Sequence, residues 1–438
     1  MRGFLSSPAR ATSIGVTCAA ALVLSAALPA TAASPRSGRP AGAAVPGSTQ
    51  SLPLAPLDQE RTPGTAPEQG LYRTGVRHFS LVGVIWDDPD AALRGTVQVR
   101  TRSAASGKWS GWQDVETHNE DHGADPATAE RSSDRVRGAT APLWVGDSDG
   151  VDVRVRADSA PDRAATDRRG GGDPPLPSGL RLELVDPGGT TTAQGPQADS
   201  PRALPALSRR ATEREMDRLR AEGDLDAVDD GAPRAKPYIG PRPGIVTRRG
   251  WSADESLRGR GFVYTKKIKA AFVHHTSTGN NYSCSQAPSV IRGIYRYHVK
   301  SMGWRDIGYN FLVDKCGTIY EGRAGGVTKA VLGAHTLGFN SNSMGVAVIG
   351  SYGSSKPSGA AVKAVAKLTA WKLGLYGANP RGKTYLTSGG GNRYPKGKSV
   401  RLNVISGHRD GFATDCPGKR LYSKLGSARS SAARYQGR

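Results

Sequence analysis

Apolar residues recur with two different periods along this chain, and the change falls at a stretch that carries neither. In residues 75–187 they alternate with polar ones. Val97 and Val99 oppose Gln98, Arg100 and Arg102; Val151, Val153 and Val155 oppose Asp152, Arg154 and Arg156; Leu180, Leu182 and Leu184 repeat the theme. Period two with one apolar side predicts short antiparallel strands, so residues 71–187 read as an all-β, sandwich-like domain. Two charged insertions within it, residues 117–138 and 157–178, read as mobile loops. Trp109 and Trp112 in K-W-S-G-W read as packing in preference to a sugar platform.

From residue 248 onward the pattern changes. I-K-A-A-F-V, Y-N-F-L-V and M-G-V-A-V-I look like buried strands. Between them Ile291, Ile294, Tyr295 and His298 share a helical face behind Pro288. A second helix is expected over residues 360–375, with Val362, Val365, Ala366 and Thr369 inward and Lys363, Lys367 and Lys372 outward. Such alternation implies an α/β domain over residues 241–438, a central mixed β-sheet flanked by helices. Residues 188–240 form a linker, whose A-T-E-R-E-M-D-R-L-R-A-E piece predicts a short exposed helix with too few apolar residues for a core. The 438-residue length suits two domains plus linkers.

Arg2 and Arg10, an apolar stretch over residues 14–28 and Ala30-Thr31-Ala32 resemble a cleaved export signal, residues 1–32. The stretch is short and interrupted for a spanning helix, and no later segment looks able to cross a bilayer. Residues 33–70, rich in Pro, Gly, Ala and Ser, read as a disordered leader. A secreted, cell-wall-associated monomer is expected. Losing the signal removes Cys18 and leaves Cys284, Cys316 and Cys416. In an oxidising compartment two should pair, and we pair Cys284 with Cys316, keeping Cys416 for chemistry. The bridge closes roughly thirty residues, about 3 kcal/mol by loop entropy.

Charge divides with the domains. From residue 234 onward 34 Lys and Arg face 7 Asp and Glu, a net +27, against −5 for the rest. A cationic exported domain suits a polyanionic partner such as an anionic wall polymer. Nucleic acid is the competing polyanion, but the export signal and the lack of a nucleic-acid-binding signature argue against it.

Two histidines occupy telling positions. His274 ends an apolar strand, where a side chain emerges at the sheet's rim, and His408 follows a second strand-like run. The G-H-R-D-G-F-A-T-D-C-P-G loop can fold back to bring Cys416 to His408. Two imidazoles and a thiolate suit Zn2+, with a fourth position open as in catalytic sites. Any one of these residues alone is more often structural, and the His408 to Cys416 spacing matches no general zinc-finger pattern.

The stretches R-R-G-W-S-A, F-V-H-H-T, W-R-D-I-G-Y-N-F-L-V, G-T-I-Y-E-G-R, G-A-H-T-L-G-F-N and G-H-R-D…T-D-C-P-G stand in one order over residues 248–422. In this they resemble the peptidoglycan recognition protein and phage-lysozyme type of zinc N-acetylmuramoyl-L-alanine amidase. The resemblance implies that His274, His408 and Cys416 are zinc ligands and that Tyr309 stands beside the attacking water. Members that only bind the wall typically lack the ligand cysteine, which is present here. Thr414 matches a position where some relatives carry a lysine, and could support the oxyanion or order its loop. The carboxylate base of related cytoplasmic amidases has no counterpart in M-G-V-A-V-I-G, which leaves Tyr309 as the candidate for proton transfer.

His275, Trp304, Asn310, Arg323, His335 and Arg409 are candidates to line a groove for the stem peptide, the two arginines by bidentate binding of carboxylates. For His335 a strand-end hydrogen bond is an even alternative. His298 is expected in the core, Asp410 and Asp415 as loop caps, and Glu321 as an orienter of Arg323. The expected function is hydrolysis of the amide between N-acetylmuramic acid and L-alanine of bacterial peptidoglycan. The competing expectation is wall recognition without turnover.

Overall fold

A computed structural model describes residues 47–57, 67–158, 176–189, 201–225 and 237–438. The expected export signal and most of the second insertion lie outside these residues. Among the described residues no helix is long and apolar enough to cross a membrane.

The period-two segments form an antiparallel eight-stranded sheet built on two long strands, Glu68–Trp86 and Leu143–Ala157. Val97, Val99, Val151, Val153, Val155, Leu182 and Leu184 fill its core, as their alternation predicts. The edge strand Ser48–Pro53 pairs with Arg181–Asp186, so part of the expected leader belongs to the sheet. Its pairing completes the backbone hydrogen bonds of an otherwise open edge. Trp109 and Trp112 lie beside Arg100, whose guanidinium is 5.3 and 5.2 Å from their ring centres.

The second domain carries a seven-stranded mixed sheet in the order Ile405–Gly407, Ala270–His275, Ser343–Val348, Phe311–Val313, Ile319–Glu321, Ile245–Val246, Ala203–Leu204. Ala271, Val273, Met344, Val346 and Val348 point to one face, where the helices Gly359–Leu375 and Leu425–Gln436 cover them. Period two sends Phe272 and His274 to the opposite face. The supposed linker takes part in this domain. Helix Arg209–Ala221, capped by Ser208, buries Thr212, Met216 and Leu219 at i, i+4 and i+7. A three-residue stripe is enough once a larger core already exists. Lys372 is also a correction: it is buried and donates to the carbonyls of Val327 and Lys329, both at 2.7 Å.

The two sheets share a core. Leu81, Ile85, Trp144 and Val185, on the reverse face of the first sheet, pack with Ala287, Val290, Ile291 and Ile294 of helix Ala287–Arg296. The helix continues through a wider turn, Tyr297–Ser301. Tyr297 donates to the Thr140 carbonyl at 3.1 Å, and its ring lies so close to Gly83 that a Cβ there would collide with it. This joint fixes how the first domain meets the second, and the 117–138 insertion departs from its rim.

Candidate metal centre

Strands Ala270–His275 and Ile405–Gly407 are parallel neighbours, so their carboxyl ends emerge side by side. His274 sits at the end of one and His408 just after the other, which is where open α/β sheets bind ligands. The loop that follows His408 is closed by the Arg409 N–H to Cys416 carbonyl bond of 3.0 Å, and it returns Cys416 to the same point. His274 Nδ1 lies 3.1 Å from His408 Nδ1 and 3.7 Å from Cys416 Sγ. Donors around a tetrahedral zinc stand about 3.3–3.6 Å apart, from bond lengths of about 2.0–2.3 Å.

Their surroundings prepare the donors. His274 Nε2 lies 3.3 Å from His335 Nδ1 and 3.4 Å from Thr336 Oγ1, and His408 Nε2 donates to the Asp121 carbonyl at 3.1 Å. Each contact engages the far nitrogen and leaves Nδ1 for the centre, the arrangement by which outer groups orient metal-bound histidines. Burial lowers the pKa of His274 well below its ordinary value, and that of His408 to about 3, so both rings are neutral at pH 7. Burial raises the Cys416 thiol well above its usual range. A bound cation would favour the thiolate and offset that cost. The buried donor set therefore fits a zinc-like ion.

A third histidine, the fourth donor, reaches this point from the first domain. Donor atoms of His122, His274, His408 and Cys416 all lie within 4.8 Å of one another. His122 Nδ1 is 2.7 Å from Asp121 Oδ1, while its Nε2 is buried without a hydrogen-bond partner. Burial alone would raise the Asp121 carboxyl, but His122 and His408 hold it well below the usual range. Asp121 and His122 belong to the insertion expected to be mobile, and the correction has a physical cause. Glu130 of the same segment accepts two hydrogen bonds from Arg323, at 2.8 and 2.9 Å, and Asp125 accepts from Gly338 N and Asn340 Nδ2, at 2.8 and 2.7 Å.

The other expected site residues divide. Tyr309 is buried with its ring centre 5.5 Å from that of His274. Together with His275 and Thr414 it lines a cavity of about 20 Å³ beside Cys416. Thr414 accepts from Cys416 N at 3.1 Å, so its hydroxyl orders the loop. His275 accepts from Tyr352 N at 3.3 Å, and burial with nearby His122 lowers its pKa to about 4. His335 is fully buried behind His274 and does not line a groove. Asn310 ties strands together, bonding Val331 O at 2.9 Å and Gly345 N at 2.8 Å.

Trp304 is buried against His298, with ring centres 4.5 Å apart, and His298 accepts from Gly308 N as a core residue. Arg409 leans over Tyr422, 5.1 Å from its ring centre. Asp410 caps its turn by accepting from Gly407 N, whereas Asp415 is exposed beside Arg409. Glu321 accepts from Arg248 N at 3.1 Å; the partner of Arg323 is Glu130. Cys284 and Cys316 form a disulfide and Cys416 is free.

Fold and donor set first define a class. An N-acetylmuramoyl-L-alanine amidase family model matches residues 264–419, and the Rv3811 N-terminal galactose-binding domain-like family matches residues 35–174. The chain belongs to the family of peptidoglycan recognition proteins and N-acetylmuramoyl-L-alanine amidases. It is 30% identical over 160 residues to peptidoglycan-recognition protein SC2 of Drosophila simulans, covering 36% of this chain and 72% of that one. It is 32% identical over 189 residues to a human N-acetylmuramoyl-L-alanine amidase, covering 42% of this chain and 28% of that protein. Among solved structures, wild-type Drosophila PGRP-LB aligns with 25% identity and a TM-score of 0.34, over 42% of this chain and 92% of that one.

Proposed function

We propose that this chain is a secreted, zinc-dependent amidase that hydrolyses the bond between N-acetylmuramic acid and L-alanine in bacterial peptidoglycan. The observation that carries this reading is the placement of His408 Nδ1 and Cys416 Sγ 3.1 and 3.7 Å from His274 Nδ1, at the carboxyl ends of parallel strands. Zinc, when bound, supplies a Lewis acid for the scissile carbonyl and lowers the pKa of a water toward about 7.

The chain's own groups do the rest. His335, Thr336 and Asp121 hold the two ligand rings in the tautomer that presents Nδ1. Tyr309, beside the donors, is suited to hydrogen-bond the developing oxyanion as a neutral phenol, since burial raises its pKa well above the ordinary value. Thr414 keeps Cys416 in its loop. Arg409 and Arg323 are the cations suited to stem-peptide carboxylates, Arg323 only once Glu130 has left it. The net +27 from residue 234 onward favours approach to anionic wall.

A second reading, peptidoglycan recognition without turnover, is favoured by one observation: His122 and Glu130 of the chain itself stand at the metal position and on Arg323. The test is mass spectrometry of sacculi incubated with the zinc-loaded full chain or its His122→Ala variant, with and without chelator, beside Cys416→Ala. Free stem peptides beginning at L-alanine, lost with chelator and in Cys416→Ala, are expected. Binding without release, for both the full chain and His122→Ala, would leave recognition as the function.

A further inference from the structure

We propose that residues 117–138 of the first domain are a built-in stopper, with His122 as a fourth metal ligand in the position that substrate and water need. The proposal rests on the amidase reading and adds a ligand and a control to it.

Three observations carry it. The first is chemical. His122 has a side chain only 9% exposed; its Nε2 lacks a hydrogen-bond partner, and a nitrogen of its ring lies within 4.8 Å of the donor atoms of His274, His408 and Cys416. A buried imidazole nitrogen left unpaired is costly unless something binds it. Its other nitrogen faces the Asp121 carboxylate at 2.7 Å, the outer contact that presents Nε2 as a lone pair. Three protein ligands leave a metal open for chemistry, and four close it.

The second is that the segment is anchored along its length. The Asp121 carbonyl also accepts from Leu337 N at 3.0 Å, Asn340 Nδ2 donates to the Gly123 carbonyl at 2.8 Å, and Arg137 N donates to Met302 O at 3.2 Å. These contacts fix its backbone on the second domain on both sides of His122. The third is charge. Glu130 puts a carboxylate on both arms of the buried Arg323 guanidinium, the interaction that the sequence assigns to a stem-peptide carboxylate. An acidic ligand arriving there would replace one carboxylate by another, so the exchange leaves no buried charge unpaired. Two determinants expected of substrate binding are thus satisfied by the protein itself, and release of the segment opens both.

The test needs no turnover. The full chain is loaded with Co2+, and its visible absorption is recorded during titration with azide, a small anion that takes an open metal position. The wild-type spectrum is expected to be that of a four-coordinate ion and to be insensitive to azide. In His122→Ala, azide should shift the spectrum and Co2+ affinity should fall at least tenfold. Glu130→Gln, whose change lies away from the metal, should restore azide sensitivity at higher azide concentration while keeping the wild-type spectrum in its absence. Equal azide response in wild type and His122→Ala, with equal Co2+ affinity, would overturn the stopper and leave the amidase reading intact. Failure of the wild-type chain to bind Co2+ at all would overturn both.

Discussion

The backbone carbonyl of Asp121 accepts a hydrogen bond from Nε2 of His408 at 3.1 Å, across 287 positions of chain. The same residue holds His122 through its carboxylate. Asp121→Ala keeps the carbonyl and removes the carboxylate, so His122 loses its orienting partner. Zinc affinity should fall about 10–100-fold, the usual cost of losing such a partner. Competition with a chromophoric chelator measures it, and an unchanged affinity would show that Asp121 does not act on the metal.

Glu130 and Arg323 form a buried pair, with side chains 9% and 7% exposed. Glu130→Ala leaves the guanidinium buried alone and should destabilise the fold by about 3–5 kcal/mol. Replacing both by apolar residues should cost much less. Urea denaturation of the two variants separates them, and equal losses would mean that the pairing itself matters little.

Acid should weaken the same contact. Burial raises the Glu130 carboxyl, but Arg323 outweighs burial and the net pKa is lowered. A carboxyl with a depressed folded pKa contributes stability above its unfolded pKa, about 4.5, and loses it as pH falls through the folded value. The stability gap between wild type and Glu130→Gln should therefore be full at pH 7 and shrink below pH 4.5. Glu183 has the opposite sign. It accepts from Ser301 at 2.7 Å at the joint between the sheets, and burial raises its pKa. Glu183→Gln should gain on wild type as pH rises through that raised value. Urea midpoints from pH 3 to 7 test both trends.

Reduction of the Cys284–Cys316 bridge should cost about 3–4 kcal/mol, the loop entropy of a 32-residue separation. The Cys284→Ser/Cys316→Ser chain should melt lower yet keep its metal affinity. A large loss of affinity would mean that the bridge also positions His274.

Much of this is legible in the sequence. Val151, Val153 and Val155 turn inward as their alternation requires, and strand ends carry His274 and His408 to one rim. Cys416 was legible because its loop is short enough to fold back. Lys372 was misread because a helix-face pattern cannot register the Val327 and Lys329 carbonyls that receive its ammonium group. His122 and Glu130 were missed for a related reason. Their segment is charged and has no period, which alone reads as a loop, and the partners that order it lie in the other domain, 193 positions away in the case of Glu130 and Arg323. The one local signal was the density of H-N-E-D-H, two histidines and two acids in five residues.

The most direct test of the central claim compares the rate of L-alanine-terminal peptide release from a soluble muropeptide by the zinc-loaded full chain, His122→Ala and Cys416→Ala. The amidase reading predicts measurable release by the full chain and by His122→Ala and none by Cys416→Ala; the stopper adds that His122→Ala is the faster of the two. Equal release by Cys416→Ala and wild type, or none from either of the zinc-bearing proteins, would contradict it.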